Sequence, residues 1–519
     1  MTASGQSPIY SYTNREVQAV LDYHAATKHS PISIRTNQHS LDWKNQPMPF
    51  KVYQDVDALA MPRGLSSSSM PALDAISTLS SSDRKPSLDD LAKLLYYSAG
   101  ITKSYDHGSH KLYFRAAACT GALYHIDLYV VCSDIKGLEA GVYHFGVHDF
   151  ALRRLRKGDY REVIAHASGR HPWVKEAPVT ILLASTYWRN SWKYQSRAYR
   201  HLGWDSGTIM ANLLAVASAS KLRARLVAGF VDQQIETLFG LDPGTEGAVA
   251  LVPIGGQALP APPPPDLDPL QFETVPLSKS TTDYPKIREV HAASSLTTLE
   301  EVANWRGALP APVEGTPSKE PICLALSGAE DRDGTLIEEI IQKRGSPRVF
   351  AREPIDFDQL STCLATTDSP LAADFLGAGQ QPCNQMYVII NAVNGLTSGV
   401  YFYRRKERAL EPLMLGDFRD QAGFLGLEQD LPKDAAAAVF FLVDLNQLLE
   451  RFGNRGYRIA QLEAGVMGGR LYLAAYAQGF GASGLTFFDD ETIQFLSPHA
   501  EGKTVMFLVA LGKRAKHSH

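Results

Sequence analysis

The sequence is poor in cysteine. It has five cysteines among 519 residues, and no two of them form a Cys-x-x-Cys pair. They are Cys119, Cys132, Cys323, Cys363 and Cys383. An odd number of scattered cysteines is typical of a protein in a reducing compartment and argues against both a disulfide framework and a thiolate zinc site. The histidines show no ligand spacing either, so the sequence predicts no metal centre.

Long apolar runs and a strong net charge are also missing. No apolar stretch approaches the roughly 18 residues that span a membrane, and the first residues show no charged-then-apolar signal pattern. The formal net charge of −4 gives no reason to expect a nucleic acid or an anionic membrane as partner. We therefore expect a cytoplasmic globular protein without nucleic-acid or membrane partners.

What the chain does have is an internal repeat. The motif Arg-x-Tyr-Arg at 197–200 recurs 258 residues later at 455–458. The same offset relates Gly141-Val142-Tyr143 to Gly399-Val400-Tyr401. The offset holds for roughly 110 residues, and a period of half the chain is too long for a solenoid. The sequence therefore predicts two fused copies of one domain, which form a pseudo-dimer within one polypeptide.

Composition places the boundaries of these copies. The stretch 257–270 contains four consecutive prolines and is typical of a semi-rigid polyproline spacer. We predict an N-terminal arm at 1–85 that packs over the domains, a first repeat at 86–256, a proline-rich linker at 257–279, and a second, more degenerate repeat at 280–519 with its core at 346–514.

Local patterns predict the main elements. Ser87, followed by two aspartates, is typical of a helix start. An acidic-small-Gly turn is predicted at 205–207 and again at 463–465, and the apolar stretch from Gly207 to Leu222 predicts a helix buried on most faces. The predicted strands are Ile126–Val131, Gly141–Phe145, Leu152–Leu155, Val179–Ala184, Leu226–Phe230 and Val505–Leu511, with a glycine-rich loop at Gly481–Phe488.

A stretch of small residues, from Ala116 to Ala122, precedes the first buried strand. Small residues let backbone N–H groups approach a ligand closely, and Arg115 at its start could supply a fixed cation. Such stretches also form ordinary tight turns, so this pattern alone does not define a site.

In combination, these motifs resemble the flavin-dependent nitroreductase superfamily, specifically its SagB/ThcOx-like branch of azoline dehydrogenases. The matching residues are Arg115, Gly121-Ala122-Leu123-Tyr124, Leu128-Tyr129, Lys193-Tyr194, Arg197, Tyr199-Arg200, Gly207 and Asn212-Leu213. The resemblance covers most of 87–256 and, more weakly, 346–514. The sequence departs from the family pattern at Ala118 (usually Pro), Cys119 (Ser), Asp205 (Glu) and Thr208 (His).

The resemblance implies an α+β fold, with two tandem nitroreductase-like α/β sandwich domains and an FMN at their interface. Each site would draw on both repeats. The implied cofactor-binding residues are Arg115, Cys119, Thr120, Gly121, Leu123 and Asn212 from the first repeat, and Ala482, Ser483, Gly484, Leu485, Lys513 and Arg514 from the second. The reciprocal site would join 381–384 to 225–230, without a matched arginine and with few glycines. We therefore expect one well-formed FMN site and one degenerate or absent site.

The resemblance also implies that Lys193 and Tyr194 carry the proton-transfer chemistry. A lysine can act as a base when burial or a neighbouring cation lowers its pKa. The second repeat has Arg451-Phe452 at these positions, which favours a single catalytic half. The alternative is a surface lysine beside a packing tyrosine. The arginines common to both repeats are expected to be structural.

The implied activity is that of an FMN-dependent oxidoreductase, a two-electron dehydrogenase of the azoline-to-azole or a related type. Its substrate would be a modified peptide or a small molecule, and a cyclodehydratase is an implied partner. The alternatives are an NAD(P)H-dependent nitro or quinone reductase and a flavin-binding or flavin-free scaffold. The protein would be a monomer, itself a pseudo-dimer, or a homodimer of that unit.

Overall fold

The computed structural model describes residues 13–107, 110–307, 314, 316–326, 334–377 and 381–515. Its strands are β1 (Ala58–Ala60), β2 (Ile101–His107), β3 (His110–Arg115), β4 (Ile126–Cys132), β5 (Gly141–Gly146), β6 (Ala151–Lys157), β7 (Val179–Thr186), β8 (Glu246–Ile254), β9 (Ile322–Cys323), β10 (Ile355–Asp356), β11 (Gln385–Ile390), β12 (Val393–Asn394), β13 (Gly399–Arg404), β14 (Ala409–Leu415), β15 (Ala437–Val443), β16 (Gly481–Leu485) and β17 (Thr504–Gly512).

The helices of the same ranges are α1 (Gln18–Ala26), α2 (Pro31–Thr36), α3 (Ala72–Ser77), α4 (Leu88–Ala99), α5 (Arg161–Ala167), α6 (Pro172–Lys175), α7 (Tyr187–Tyr194), α8 (Ala198–Ala219), α9 (Asp232–Phe239), α10 (Pro285–Ala293), α11 (Leu299–Trp305), α12 (Ile337–Lys343), α13 (Phe357–Thr367), α14 (Arg419–Leu425), α15 (Asp430–Asp434), α16 (Leu445–Phe452), α17 (Arg455–Ala477) and α18 (Asp489–Leu496). Short 3-10 turns lie at Trp43–Asn45, Thr120–Ala122 and Gln195–Arg197. None of these helices is both long and apolar enough to cross a membrane.

Each repeat is built on one large antiparallel sheet, beside the small two-stranded sheets β2-β3 and β10-β12. The first has the strand order β1-β6-β5-β4-β7-β8, and the second has the order β16-β17-β15-β11-β13-β14-β9. The five strands β6-β5-β4-β7-β8 therefore correspond one to one with β14-β13-β11-β15-β17. Both central strands, β4 and β11, are buried along their whole length. The predicted pair of α+β domains is confirmed.

The helix predicted to begin near Ser87 is α4, and its cap explains the start. The Ser87 side chain accepts a hydrogen bond from the Asp90 backbone N–H, and the Asp90 carboxylate accepts one from the Ser87 N–H. This reciprocal capping satisfies two donors that a helix leaves open at its first turn. The cap fixes the direction in which α4 enters the first repeat.

The long helices α8 and α17 cross at the centre of the molecule. A β-carbon built on Gly207 would lie 2.4 Å from the carbonyl carbon of Gly465, so only glycine allows the two backbones this close. These glycines occupy corresponding positions of the two repeats, and the pseudo-two-fold axis passes between them. The predicted acidic-small-Gly turns are therefore wrong, because both motifs lie inside buried helices and their glycines serve helix packing.

The prediction for Leu226–Phe230 is also wrong, since this stretch forms only isolated bridges instead of a strand. Val227 pairs with Leu251, while Leu226 pairs with Ala373 of the second repeat. The second repeat thus supplies some of the backbone hydrogen bonds of this stretch. Its counterpart, predicted as a glycine-rich loop, instead begins with the strand β16, which pairs with β17 along its length.

Buried ion pairs connect the repeats reciprocally. Arg197 and Arg200 bind Asp489 at the start of α18, with N–O distances of 3.0 and 2.6 Å. Arg455 and Arg458 bind Asp232 at the start of α9, with distances of 2.5 and 2.8 Å. Each arginine pair therefore holds a helix of the opposite repeat, which gives the shared Arg-x-Tyr-Arg motif the structural role expected of it.

The segments outside the repeats bridge them. In the N-terminal arm, the Asn14 side chain donates to the Phe452 carbonyl and accepts from the Arg455 N–H. Further along the arm, backbone bonds join Met48 to Leu277 and Val275 to Val52, so arm and linker run side by side against the first repeat. These contacts tie the arm to both halves of the molecule.

Candidate functional site

The small-residue loop before β4 is held by one carboxylate of α8. Asp205 accepts hydrogen bonds from the Thr120 N–H (2.9 Å), from the Cys119 thiol (3.0 Å) and from His125 Nε2 (2.8 Å). His125 in turn contacts the Ser185 hydroxyl through Nδ1 at 2.8 Å. In the second repeat, Glu463 occupies the corresponding position and accepts hydrogen bonds from two backbone N–H groups at 383–384. An acidic side chain on the long helix thus fixes this loop in both repeats.

Cys119 acts as a hydrogen-bond donor to Asp205 in this network. Burial raises the pKa of the Cys119 thiol, and the neighbouring Asp205 carboxylate raises it further. The thiol accepts the Tyr124 N–H at 3.1 Å while it donates to Asp205. Its observed role is therefore to shape the loop as a hydrogen-bonding group, the role that a serine hydroxyl would fill.

Lys193 and Tyr194 end α7, and Tyr194 lies directly against this loop. Gly121 has a φ of +62°, and a β-carbon there would lie 2.8 Å from the Tyr194 hydroxyl oxygen. Burial raises the pKa of Tyr194 well above its ordinary value, with Asp205 and Cys119 adding to the effect. Burial also lowers the pKa of Lys193, as does the nearby Arg348 guanidinium. The pair thus combines a firmly protonated phenol with an amine that loses its proton more readily than usual.

A segment of the second repeat that the sequence analysis missed completes this region. Arg344 donates to the Ala116 carbonyl at 2.9 Å and to the Arg115 carbonyl at 2.8 Å. The Pro347 carbonyl accepts the Ser483 hydroxyl at 2.7 Å, which joins the segment to β16. The signal was the group of three basic residues Lys343, Arg344 and Arg348, at the start of the core of the second repeat. Both repeats therefore contribute to one surface.

Cations collect at this surface without carboxylate partners. Within the described ranges, Lys193, Arg348 and Arg514 take part in no ion pair with Asp or Glu. Arg344 has none either, but its guanidinium donates to backbone carbonyls. Lys103 joins them, and its pKa is lowered by burial and by the Arg344 and Arg514 guanidiniums. Uncompensated guanidinium groups suit a phosphate, which they can bind in a bidentate fashion. The residues present therefore fit a phosphate-bearing cofactor such as FMN.

Several residues implied by the resemblance are anchors of the loop or of the core. The Arg115 guanidinium is buried below the loop, where it donates to the Ile126 and Pro49 carbonyls and stacks on Phe50 and Tyr124, instead of facing outward. Asn212 donates from α8 to the Tyr97 and Ala116 carbonyls. Leu123 and Ala482 are buried. Thr120, Gly121, Gly484, Leu485, Lys513 and Arg514 are at least partly open to solvent.

The reciprocal location is filled. The carboxylate of Asp374 accepts the N–H groups of Ala228 and Gly229, each at 2.9 Å. Trp305, which is 1% exposed, packs so closely that a β-carbon on Gly229 would lie 2.9 Å from its ring. The backbone N–H groups that correspond to the β16 region therefore already have partners, and an indole ring occupies the space beside them.

Among the residues that the structure describes, two groups of side chains bring potential metal ligands together. Cys119, His125 and Asp205 form one, and Asp232, Glu236 and His291 form the other, with ligand atoms within 4.8 Å of one another in each. The first group is satisfied by the hydrogen bonds described above. In the second, two arginines already bind the Asp232 carboxylate. The observed arrangement of both groups is that of hydrogen-bonded and ion-paired networks.

A larger cavity lies away from this loop. It has a volume of about 560 Å³ and is lined by the start of α7, by Lys51 of the arm and by the linker. The space enclosed behind the loop, beside Arg115 and Cys119, is only about 10 Å³, room for a single water. Geometry and charge, rather than cavity size, therefore identify the candidate active site.

Comparison with known proteins agrees with this arrangement. The family model described as "Nitroreductase family" matches residues 81–256 and 341–513, one segment in each repeat. The chain is 24% identical over 168 residues to "Putative nitroreductase MJ1384" of Methanocaldococcus jannaschii, which covers 32% of this chain and 80% of that protein. It is 30% identical over 172 residues to the trifolitoxin-processing protein TfxB of Rhizobium leguminosarum bv. trifolii, which covers 32% of this chain and 46% of that protein.

A solved structure shows the same tandem arrangement over almost the whole length. The crystal structure of a putative nitroreductase from Anabaena variabilis superposes with a TM-score of 0.76 and 26% sequence identity. The match covers 96% of this chain and 99% of the other. The family predicted from the sequence motifs is thereby confirmed, and the chain belongs to the nitroreductase family as two fused copies of its domain.

Proposed function

We propose that this nitroreductase-family oxidoreductase uses FMN and binds one FMN per chain, at the surface formed by the loop 116–122 and the segment 344–348. The observation that carries the proposal is the group of unpaired cations facing the loop that Asp205 and Tyr194 hold in place. The filled reciprocal location supports a single site. In this assignment, Arg348, Lys513 and Arg514 bind the phosphate end of the cofactor.

In this proposal, the cofactor accepts the hydride and side chains of the protein handle the proton. FMN, when bound, supplies a two-electron acceptor for the hydride that a dehydrogenation releases. Lys193, with its lowered pKa, removes the accompanying proton through Nζ. Tyr194 stays protonated at neutral pH and donates a hydrogen bond from its hydroxyl to the substrate. Gly121 lets that hydroxyl lie close to the loop, so the pair is held in one orientation.

The substrate that we propose is an azoline ring in a modified peptide, which loses two hydrogens to become an azole. The proposal is supported by the Lys-Tyr pair in only one repeat and by the similarity to a protein named for trifolitoxin processing. A cyclodehydratase, the enzyme class that makes azolines, would then be the partner, and oxygen would reoxidise the flavin. The alternative is a reductase that takes electrons from NAD(P)H, as the nitroreductase names of other relatives suggest.

The flavin content of the purified protein tests the cofactor. We expect a yellow protein whose absorbance gives about one FMN per chain. A colourless protein that gains no bound-flavin absorbance with added FMN would instead indicate a scaffold without the cofactor. A ratio near two would overturn the single-site assignment.

Anaerobic mixing tests the reaction. We expect an azoline-containing peptide to bleach the flavin of the wild-type chain, and the Lys193→Met variant to bind FMN but bleach much more slowly, by roughly a hundredfold or more. The matched control is Lys175→Met, which removes a lysine from α6 outside the site. Fast bleaching by NADPH without any peptide would support the reductase instead.

A further inference from the structure

The two-stranded sheet β2-β3 stands apart from the two large sheets. We call it the β2-β3 ribbon, residues 101–107 and 110–115. Among the described residues no other strand pairs with β2 or β3, so the backbone groups along both outer edges have no strand partner. Free edges of this kind can accept a further strand from another chain.

One face of the ribbon is apolar and exposed. Tyr105, Leu112 and Phe114 are 58%, 47% and 39% exposed. Tyr105 is paired directly with Leu112 across the two strands. The rings of Tyr105 and Phe114 meet edge to face, with their centroids 5.7 Å apart. The three side chains therefore share one face, which we call the apolar face.

The opposite face of the ribbon packs on the arm. Tyr113, which alternates with Leu112 and Phe114 along β3, points to this opposite face. Its ring meets that of Phe50 edge to face, with the centroids 5.1 Å apart. The arm thus covers one face of the ribbon and leaves the apolar face for another partner.

The ribbon adjoins the candidate active site. The strand β3 ends at Arg115, and the loop 116–122 follows directly. Lys103 is paired with Phe114 on the apolar face, and its ammonium donates to the Arg344 carbonyl at 3.2 Å. The apolar face is therefore continuous with the surface at which we place FMN.

Among the described residues, only the repeat with the Lys-Tyr pair has such a ribbon. Residues 100–125 join α4 to β4 in the first repeat, and the shorter stretch 368–384 joins α13 to β11 in the second. The described part of 368–384 contributes no strand to any sheet. The fold of the domain therefore does not require the ribbon, which accompanies the candidate catalytic residues instead.

The apolar face has the size expected for contact with one peptide strand. Large apolar side chains bury roughly 150–250 Å² each, so the exposed fractions of the three leave roughly 200–350 Å² open. A stable complex of two folded proteins buries about 800 Å² on each partner. An added peptide strand needs less apolar area, because main-chain hydrogen bonds to the sheet edge provide much of its affinity.

We propose that the β2-β3 ribbon binds an extended segment of the substrate peptide as an added strand. The peptide would place every second side chain on the apolar face, and these side chains would be apolar. Because the ribbon leads into the loop 116–122, a peptide held on it has its next residues beside the flavin. The substrate role rests on the proposed function, whereas the binding of an extended peptide does not.

Binding of a model peptide tests the site. The probe is a fluorescein-labelled ten-residue peptide with leucine and threonine at alternate positions, titrated with the full-length holoprotein and followed by fluorescence anisotropy. We expect saturable binding with a dissociation constant on the order of 100 µM. A peptide with the same side chains but N-methylated amides throughout cannot donate to a sheet edge and should bind at least about tenfold more weakly. No binding of the probe, or equal binding of the two peptides, would overturn the proposal.

Substitutions then locate the bound peptide. Leu112→Ser removes an apolar side chain from the apolar face and should weaken binding about fivefold or more. The matched control is Leu59→Ser, on the edge strand β1, where the leucine is 44% exposed; it should leave binding unchanged. If Leu112→Ser does not fold, as judged by its thermal melt, Tyr105→Ser replaces it with the same expectation. Unchanged binding in the folded variant would contradict the proposed location.

Two further measurements separate this proposal from a dimer and from the proposed reaction. If sedimentation shows a dimer that Leu112→Ser dissociates, a second copy of the chain covers the apolar face and the proposal fails. A chain that binds the probe but whose flavin is not bleached by an azoline peptide would overturn the reaction and keep the peptide site. An unchanged kcat/KM for the azoline peptide in Leu112→Ser would overturn the substrate role of the ribbon and keep the reaction.

Discussion

Arg200 of the first repeat donates a hydrogen bond of 2.6 Å to Asp489 of the second, and both side chains are almost completely buried. Burial alone would raise the pKa of Asp489, but Arg197 and Arg200 outweigh it and hold the pKa well below its ordinary range. The carboxylate thus stays charged and neutralises two guanidinium groups inside the protein. The neighbouring Asp490 is exposed and forms an ion pair with Lys28 at the surface.

Replacing Asp489 should therefore be far more costly than replacing Asp490. We expect Asp489→Asn to lower the free energy of unfolding by about 3 kcal/mol or more, because it leaves two buried arginines without a counter-charge. Asp490→Asn should cost less than about 1 kcal/mol. Chemical denaturation of the two variants measures the difference, and similar losses would show that the buried pair does not hold the repeats together.

Glu236 gives the stability of the protein a pH dependence of its own. Burial and, to a smaller extent, the Asp232 carboxylate raise the pKa of Glu236 to about 7 against the opposing effect of Arg458 and Arg455. Between the ordinary value of a glutamate and pH 7, the folded state binds more protons at this position than the unfolded state. Its contribution to stability therefore falls as pH rises through that window, by up to about 3 kcal/mol.

The Glu236→Gln variant should remove this component. We expect the difference in unfolding free energy between the variant and the wild type to change steadily from pH 5 to pH 7 and to level off above. Glu300→Gln, on the exposed face of α11, is the control and should follow the wild-type curve. A constant difference across the range would mean that Glu236 does not titrate there.

The lowered pKa of Lys193 is partly caused by burial and partly by Arg348. Removing the guanidinium should favour the ammonium form, so Arg348→Gln should raise the pKa of Lys193. We expect the pH at which Lys193 reacts with acetic anhydride, followed by mass spectrometry, to shift upward in this variant. Arg35→Gln on α2 should produce no shift. This measurement requires neither substrate nor bound flavin.

Gly121 should be intolerant of a side chain for two separate reasons. Its φ of +62° strains any residue other than glycine, and a β-carbon would meet the Tyr194 hydroxyl. Gly502 has a φ of +75° with open space around it, so Gly502→Ala measures the strain alone. We expect both alanine variants to lose about 1 kcal/mol of stability, and only Gly121→Ala to lose most of its activity. Equal activities would show that the position of Tyr194 is not critical.

The repeat could be derived from sequence because one offset held across many unrelated motifs. The pairing of Gly207 with Gly465 could not, since an acidic residue followed by Ser-Gly is also typical of a turn. Only the presence of the partner helix distinguishes the two interpretations. Local sequence therefore predicted that these positions matter but assigned them the wrong geometry.

The contribution of Arg344 and Arg348 was missed for a different reason. They lie outside the region of constant offset, because α4 begins at Leu88 and α13 at Phe357, a separation of 269 residues instead of 258. A comparison of the two repeats at the constant offset therefore assigned these residues no counterpart in the first repeat. Nothing in the sequence indicated that Trp305 fills the reciprocal location, because Trp305 also lies outside the region of constant offset.

The crossing of α8 and α17 has a consequence for how the protein behaves at low concentration. In a homodimer of separate chains, a site shared between subunits is lost when dilution drives them apart. Here the linker keeps both halves in one molecule, so the effective concentration of one half around the other does not change on dilution. The shared surface should therefore form equally well at nanomolar and at micromolar protein.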